Sequence, residues 1–106
     1  MAHDLSKVTT LVKVYADDVR KVLPVNKVFL YGSYAQGNAT IYSDVDVCFF
    51  LDTYGDINWF GNMKILLHLS HKYKELYIEP IAYEASDLED DSPFVKEVLR
   101  IGIEIF

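Results

Sequence analysis

The centre of the chain reads VFLYGSYAQGNATIYSDVDVCFFL, residues 28–51. Its first four residues are apolar and are closed by a glycine, which predicts an interior strand over Val28–Tyr31. Residues 33–43 are small and polar, and Val45–Leu51 is again rich in strand-forming residues. The stretch therefore predicts strand, loop and strand, with polar residues gathered between the two strands.

Helical periodicity flanks this centre on both sides. Apolar residues at helical spacing predict a helix from Asp4 to Leu23 that ends before Pro24. A second helical pattern runs from Trp59 to Tyr73, a third strand covers Leu76–Tyr83, and a last helix begins at Ser92-Pro93 and ends at Gly102. The predicted order is helix, strand, loop, strand, helix, strand, helix, which indicates a small α/β (α+β) domain.

Pro80 constrains the third strand. Proline lacks the N–H that a central ladder needs, so this residue is expected at a sheet edge, in a bulge or where the donor would face nothing.

Length and composition predict one globular domain over residues 1–106. No apolar run approaches the ~20 residues of a membrane helix and the first residues resemble no signal peptide, so we expect a cytoplasmic protein without a membrane partner. The formal net charge of -6 disfavours long nucleic acids as partners, because phosphate attraction carries most of their affinity. Five acidic residues, Glu84, Asp87, Glu89, Asp90 and Asp91, cluster in what is expected to be a solvated loop.

Asp44 and Asp46 are the first candidate functional residues. Two positions apart on or entering a strand, their side chains project from the same face, next to the apolar run that follows. Two anions there are costly unless a cation binds between them, and Mg²⁺ prefers one or two carboxylates together with waters and phosphates. The alternative is that both are edge carboxylates that make turn and capping bonds.

Gly32-Ser33 forms the second candidate feature. A strand followed by glycine and a helix start presents unpaired N–H groups to an anion, and the Ser33 hydroxyl adds a donor. Gly37 then allows the chain to turn back towards the strand that carries the two aspartates. The pattern is neither a Walker motif nor a dinucleotide fingerprint, because the residues that these motifs require are missing.

Together these residues resemble the minimal nucleotidyltransferases of the DNA polymerase beta superfamily. The family motif is Gly-Ser, a variable stretch and Ser-Asp-x-Asp, which Gly32-Ser33 and Ser43-Asp44-Val45-Asp46 match; Ala35 and Gly37 agree as well. The order of elements agrees over nearly the whole chain. The resemblance implies a small mixed β-sheet flanked by helices, as in the polymerase beta palm.

The resemblance also implies roles for single residues. Asp44 and Asp46 would hold two Mg²⁺ ions, for which Mn²⁺ can substitute, and Glu79 would be the third carboxylate ligand and the base, with Glu84 as the fallback. The nucleotide-binding residues would be Gly32, Ser33, Gly37 and Ser43. Gln36 stands where the family often has a cation.

The activity implied by the resemblance is metal-dependent transfer of a nucleoside monophosphate, AMP from ATP, to an acceptor hydroxyl. The acceptor would be a tyrosine of an all-helical HEPN-type toxin, for which the chain is the antitoxin. The alternative is a binding module that neutralises this partner by contact alone. Trp59, Phe60 and residues 101–106 offer apolar surface for a partner or for a homo-oligomer.

Two tyrosines near the predicted phosphate loop, Tyr34 and Tyr42, could stack on a nucleobase. Packing in the core or in an interface is the more ordinary role of such residues, and it is the expectation here.

Overall fold

The protein is described here by a computed structural model of residues 2–106. The elements in chain order are α1 (Leu5–Arg20), β1 (Val25–Tyr31), α2 (Ser33–Gln36), β2 (Val45–Leu51), α3 (Asn58–Ser70), β3 (Ile78–Glu84), α4 (Pro93–Ile101) and β4 (Ile103–Glu104), with short 3-10 helices at Gly55–Ile57 and Ala85–Glu89. Within residues 2–106, no helix combines the length and the apolar character required to span a bilayer.

The four strands form one sheet in the order β3-β2-β1-β4. β1 runs antiparallel to both β2 and β4, whereas β2 and β3 are parallel and are connected through α3. A parallel pair needs such a crossover, and a helix usually supplies it. The observed mixed sheet with helices confirms the predicted fold class.

Helices cover both faces of the sheet. Alternate residues of β2 point to opposite faces, so Val45, Val47, Phe49 and Leu51 join the core formed with α1 and α3, whereas Cys48 and Phe50 join a smaller core formed with α4. A strand covered on both faces reads as a continuous apolar run, as this one does. By the same alternation, the side chain of Asp46 lies on the α4 face of the sheet.

Pro80 lies on β3, an edge strand, which confirms the constraint that the sequence placed on it. It is paired in register with Val47 of β2. The carbonyl of Ala82 in the same strand accepts a hydrogen bond of 3.0 Å from Nε1 of Trp59.

The first helix is shorter than predicted. It ends at Arg20 rather than Leu23, and Val22, which lies beyond the end of the helix, is 61% exposed. The N–H groups of Lys21 and Val22 bond the carbonyls three residues back, which tightens the chain into a turn before Pro24. The residue before a proline disfavours helical geometry, so the helix is released early.

The sheet contains more residues than the sequence predicted, at the start of β1 and in β4. β1 begins at Val25, three residues before the predicted start, with a register irregularity between Val25 and Lys27. β4 was not predicted because two residues are too short to show a period. The terminal residues 103–106 pack on the fold, and the N–H of Ile105 donates to the carbonyl of Val28 at 2.7 Å.

Candidate active site

The turn after β1 requires a glycine. Gly32 has φ 75° and ψ -152°, a backbone conformation that only glycine adopts readily. A Cβ atom at this position would also lie 2.2 Å from Oδ2 of Asp46. The backbone of Gly32 and the carboxylate of Asp46 are therefore in close contact, and any other residue at position 32 would force this carboxylate to move.

Ser33 begins the short helix α2 directly after this glycine. The N–H of Gln36 bonds the carbonyl of Gly32 at 3.1 Å, while the N–H groups of residues 33–35 have no acceptor within the helix. Gly37 ends the helix with φ 78°, and its Cβ would meet nothing within 4 Å, so its backbone conformation is the reason for glycine there. This turn reverses the chain as the sequence predicted.

A second turn leads into β2. Thr40 donates its N–H to Oγ of Ser43 at 2.8 Å, and the N–H of Ser43 returns a bond of 3.1 Å to the carbonyl of Thr40. The described contacts of Ser43 thus hold the turn together, and they fix the direction in which Asp44 and Asp46 enter the strand.

Three side chains form a row across the sheet at this end. Asp46 is paired in register with Tyr31 of β1 on one side and with Glu79 of β3 on the other. Residues paired across strands project from the same face, so Tyr31, Asp46 and Glu79 share the α4 face. Asp44 lies two residues before Asp46, and its side chain forms a hydrogen bond with the side chain of Glu79. We call Asp44, Asp46 and Glu79 the carboxylate cluster.

The pKa values of Asp46 and Glu79 are raised by burial and by the neighbouring acids. Burial, followed by the charges of Glu79 and Asp44, raises the pKa of Asp46 to about 6. The hydrogen bond with Asp44 and then burial raise the pKa of Glu79. Burial, and next the charge of Asp46, also raise the pKa of Tyr31. Burial and neighbouring negative charge both disfavour the ionised form of a carboxylic acid, so both raise its pKa.

No positive side chain in the described part of the chain forms an ion pair with the carboxylate cluster. None of the ion pairs formed among residues 2–106 involves Asp44, Asp46 or Glu79. Uncompensated carboxylate oxygens at a partly buried strand end are the donor set that a hard cation such as Mg²⁺ takes. Among residues 2–106, no group of three or more His, Cys, Asp or Glu residues is arranged to enclose a metal ion. Mg²⁺ usually takes only one or two carboxylates and keeps water and phosphate ligands, which is a donor set that the carboxylate cluster can offer.

Glu84, the fallback third carboxylate, lies at the other end of β3. It is opposite Leu51 in the register and five residues from Glu79, about 17 Å along an extended strand. Its Oε2 accepts the N–H of Tyr54 at 3.1 Å. The structure thus brings Glu79 and not Glu84 to the aspartates.

Three aromatic residues lie at this site, and sequence reasoning named only one of them, Tyr42, as a neighbour of the phosphate loop. Tyr31 lies beside Asp46, a position that only the strand register reveals. Tyr42 and Tyr77 flank Asp44 and are 88% and 74% exposed. The expectation of a packed residue is confirmed for Tyr34, which is buried, but it is wrong for Tyr42 as a core residue. Polar neighbours in Tyr42's turn were the available signal.

Comparison with known proteins identifies the protein family to which the chain belongs. The family model of the nucleotidyltransferase domain matches residues 12–102, so the chain belongs to the nucleotidyltransferase domain family. This match confirms the family that the motif indicated. No curated protein sequence gives a significant match.

Solved structures share the fold. A Sulfolobus solfataricus protein assigned to the nucleotidyltransferases superposes with a TM-score of 0.65 at 18% identity, covering 94% of this chain and 80% of that one. A toxin–antitoxin structure with AMP-PNP gives a TM-score of 0.57 at 17% identity, covering 89% and 72%. A variant of the toxin–antitoxin MntA-HpeT, with two aspartates two positions apart changed to glutamate, gives a TM-score of 0.60 at 17% identity, covering 93% and 72%.

Proposed function

We propose that this chain transfers a nucleoside monophosphate, AMP from ATP, to an acceptor hydroxyl and releases pyrophosphate. The observation that carries the proposal is the carboxylate cluster, which forms no ion pair within residues 2–106 and whose Asp46 lies directly against the backbone of Gly32. Membership of the nucleotidyltransferase domain family supports it.

The triphosphate is proposed to bind at the turn between β1 and β2. The free N–H groups at the start of α2 and the hydroxyl of Ser33 point to an anion, and Gly32 lets the phosphates approach the backbone. Gly37 shapes the turn, and Ser43 orients the chain into the strand that carries the aspartates, while its hydroxyl proton stays free to be donated.

Asp44, Asp46 and Glu79 are proposed to hold two Mg²⁺ ions, which Mn²⁺ can replace. Such an ion, when bound, supplies positive charge to the α-phosphate and lowers the pKa of the attacking hydroxyl. Asp46 belongs to the central strand β2 and Asp44 directly precedes this strand, so the sheet positions both carboxylates relative to the reacting groups. Glu79, whose pKa is raised, is the group proposed to accept the proton of the acceptor hydroxyl.

The acceptor is proposed to belong to a helical, HEPN-type toxin for which this chain is the antitoxin. Support comes from the fold, since two of the structural neighbours described above are toxin–antitoxin structures.

A labelling reaction tests the proposal. The chain is mixed with Mg²⁺, ATP labelled on the α-phosphate, and the protein encoded by the neighbouring gene. We expect label on that protein together with released pyrophosphate, and neither product with EDTA present. Label retained in EDTA, or none with any divalent metal, would contradict nucleotidyl transfer.

A second candidate function is neutralisation of the partner by contact alone. It is favoured by the exposed apolar residues of α3, where Trp59, Phe60 and Leu67 are 41%, 60% and 43% exposed. Large apolar side chains on one surface helix commonly mark a protein interface. If wild type and Asp46→Asn neutralise the partner equally and neither transfers label, the contact function is the correct one.

A further inference from the structure

Tyr31 lies at the end of β1, at the carboxylate cluster, and has no part in the proposed function. It is paired in register with Asp46 across the antiparallel strands β1 and β2, so the two side chains project side by side from the α4 face of the sheet. Burial raises the pKa of its phenol, the charge of Asp46 comes next, and the charge of Glu79 contributes as well. The hydroxyl group therefore lies within electrostatic reach of two members of the cluster.

The ring of Tyr31 is held in place by aromatic neighbours. It meets the ring of Phe94, in the first turn of α4, edge to face with the centroids 5.4 Å apart. Phe94 in turn stacks on Tyr83 of β3, with the centroids 5.5 Å apart. Tyr31 and Tyr83 both pack against the smaller core that contains Phe50. These contacts restrict the ring and keep the phenol on the face of the sheet that carries Asp46.

Tyr31 and Asp46 have complementary hydrogen-bonding groups that are both unused. Within residues 2–106, the phenol of Tyr31 donates no hydrogen bond and the carboxylate of Asp46 accepts none. Both side chains are only partly exposed to water, where a polar group without a partner is costly. An unbonded donor beside an unbonded acceptor indicates an arrangement that a ligand completes.

A phenol is a suitable donor beside a carboxylate that binds a cation. A lysine or arginine at position 31 would form an ion pair with Asp46 and weaken its attraction for the cation. The phenol is uncharged and keeps its proton, because its pKa is raised above the ordinary value of a tyrosine. It can therefore bond one oxygen of the carboxylate and leave the negative charge available to the ion.

We propose that Tyr31 is a positioning residue for the metal ion that the carboxylate cluster is proposed to hold. Its hydroxyl donates a hydrogen bond to the Asp46 carboxylate in the loaded site, and this bond fixes the direction in which the carboxylate faces the ion. The inference rests on the proposed function and adds a residue to its site. Groups that hydrogen-bond a metal ligand orient that ligand, and their loss typically weakens metal binding or activity by about 10–100-fold.

Two other roles of Tyr31 give different expectations. If the ring only fills space between the sheet and α4, phenylalanine replaces tyrosine without any loss. If the hydroxyl contacts the nucleotide, its removal weakens nucleotide binding and leaves the binding of the ion alone unchanged. The binding of an ion in the absence of nucleotide therefore distinguishes the positioning role from both.

The test removes the hydroxyl and keeps the ring. Tyr31→Phe is compared with wild type, with Asp46→Asn and with Tyr83→Phe. Tyr83→Phe is the matched control, because it removes the same group from a ring that packs on the same Phe94, about 13 Å from Glu79 along the extended strand β3.

Three quantities are measured on the full chain. The first is the Kd for Mn²⁺ without nucleotide, obtained from the electron paramagnetic resonance signal of free Mn²⁺. The second is the Kd for a non-hydrolysable ATP analogue at saturating Mn²⁺. The third is the dependence of AMP transfer on Mg²⁺ concentration, with the protein encoded by the neighbouring gene as the acceptor.

Tyr31→Phe should raise the Kd for Mn²⁺ at least about tenfold, and Tyr83→Phe should leave it within about twofold of wild type. AMP transfer by Tyr31→Phe should be reduced at low Mg²⁺ and should recover as Mg²⁺ is raised to saturation, because the lost bond acts on the affinity for the ion. The Kd for the analogue should be unchanged. The melting temperature without metal should equal that of wild type, since the ring and its contacts are retained.

Three results would overturn the inference while the metal site stands. The first is a Kd for Mn²⁺ in Tyr31→Phe equal to that of wild type. The second is weaker analogue binding with an unchanged Kd for Mn²⁺, which would make Tyr31 a nucleotide contact. The third is an equal loss in Tyr83→Phe, which would assign the effect to the aromatic packing. If Asp46→Asn binds Mn²⁺ as wild type does, the proposed metal site is wrong, and the inference fails with it.

Discussion

Two groups of acidic residues lie at opposite ends of β3, and the fold uses them differently. At one end is the carboxylate cluster, whose members form no ion pair in residues 2–106. At the other end is the acidic turn, residues 84–91. There Glu84 accepts the N–H of Tyr54, Asp87 accepts the N–H of Glu84 at 3.0 Å, and Asp91 pairs with Lys96 at 3.2 Å.

The acids of the acidic turn stabilise the fold, whereas those of the carboxylate cluster destabilise it. Glu84 and Asp87 form reciprocal caps on a 3-10 helix, where the sequence had predicted a solvated loop. Their carboxylates satisfy N–H groups that would otherwise lack partners. Asp46 instead has a pKa raised to about 6 by burial and by neighbouring acids. Acids that destabilise the fold at a strand end indicate a ligand-binding site. Substitutions in the two groups should therefore have opposite effects on stability.

The largest expected effect is on activity. Asp46→Asn should reduce AMP transfer by at least about 100-fold, because the neutral amide no longer anchors the positive charge that the α-phosphate needs. The melting temperature should be unchanged or higher without metal, since one of three crowded acids has been neutralised. Label transfer and thermal unfolding measure the two effects.

Asp87→Asn is the matched control for that substitution, because it removes one charge from the acidic turn and leaves the cluster intact. Its transfer rate should equal that of wild type. Unfolding of Asp46→Asn would instead make this aspartate a structural cap and would remove the contrast between the two groups.

The next effect concerns the glycine against the cluster. Gly32→Ala should destabilise the protein by about 3 kcal/mol, since the backbone conformation there is nearly restricted to glycine and the new Cβ would meet Asp46 at 2.2 Å. Chemical denaturation gives the free energy of unfolding. Gly55→Ala separates the two causes: Gly55 also has a positive φ, of 65°, but open space around it, and should cost only about 1 kcal/mol. Equal losses would show that contact with Asp46 is unimportant.

The sequence predicts the site residues that are close together in the chain better than those that the strand register brings to the site, for a physical reason. Gly32, Asp44 and Asp46 are close in the chain, so local rules for turns and strand alternation bring them together. Whether Glu79 or Glu84 joins them depends on the register of a parallel pair, which a crossover helix sets and which no local pattern encodes. The same holds for Tyr31 and Tyr77, and the reciprocal caps of the acidic turn depend on side-chain directions that composition does not reveal.

A smaller effect is expected from ligand binding. Mg²⁺ with ATP at about 100 times its Kd should stabilise the wild type by about 2.7 kcal/mol through preferential binding to the folded state. A thermal scan should show a rise of several degrees, which Asp46→Asn should lack and Asp87→Asn should keep. A rise of equal size in both variants would place the nucleotide away from the carboxylate cluster.

The smallest effect is expected in the acidic turn. Asp87→Ala should lower the free energy of unfolding by about 0.5–2 kcal/mol, the usual cost of losing a side-chain cap, because the N–H of Glu84 loses its acceptor. Asp91→Ala is the internal comparison, since Asp91 is 98% exposed and its pair with Lys96 should contribute little. Denaturant titration at low and high salt distinguishes a cap from a surface charge, because only the charge effect is screened strongly by salt. Asp46→Asn is expected to leave the stability unchanged or to raise it. If Asp87→Ala were also stabilising, both acidic groups would destabilise the fold. The raised pKa of Asp46 would then no longer single out the carboxylate cluster as the place where a ligand binds.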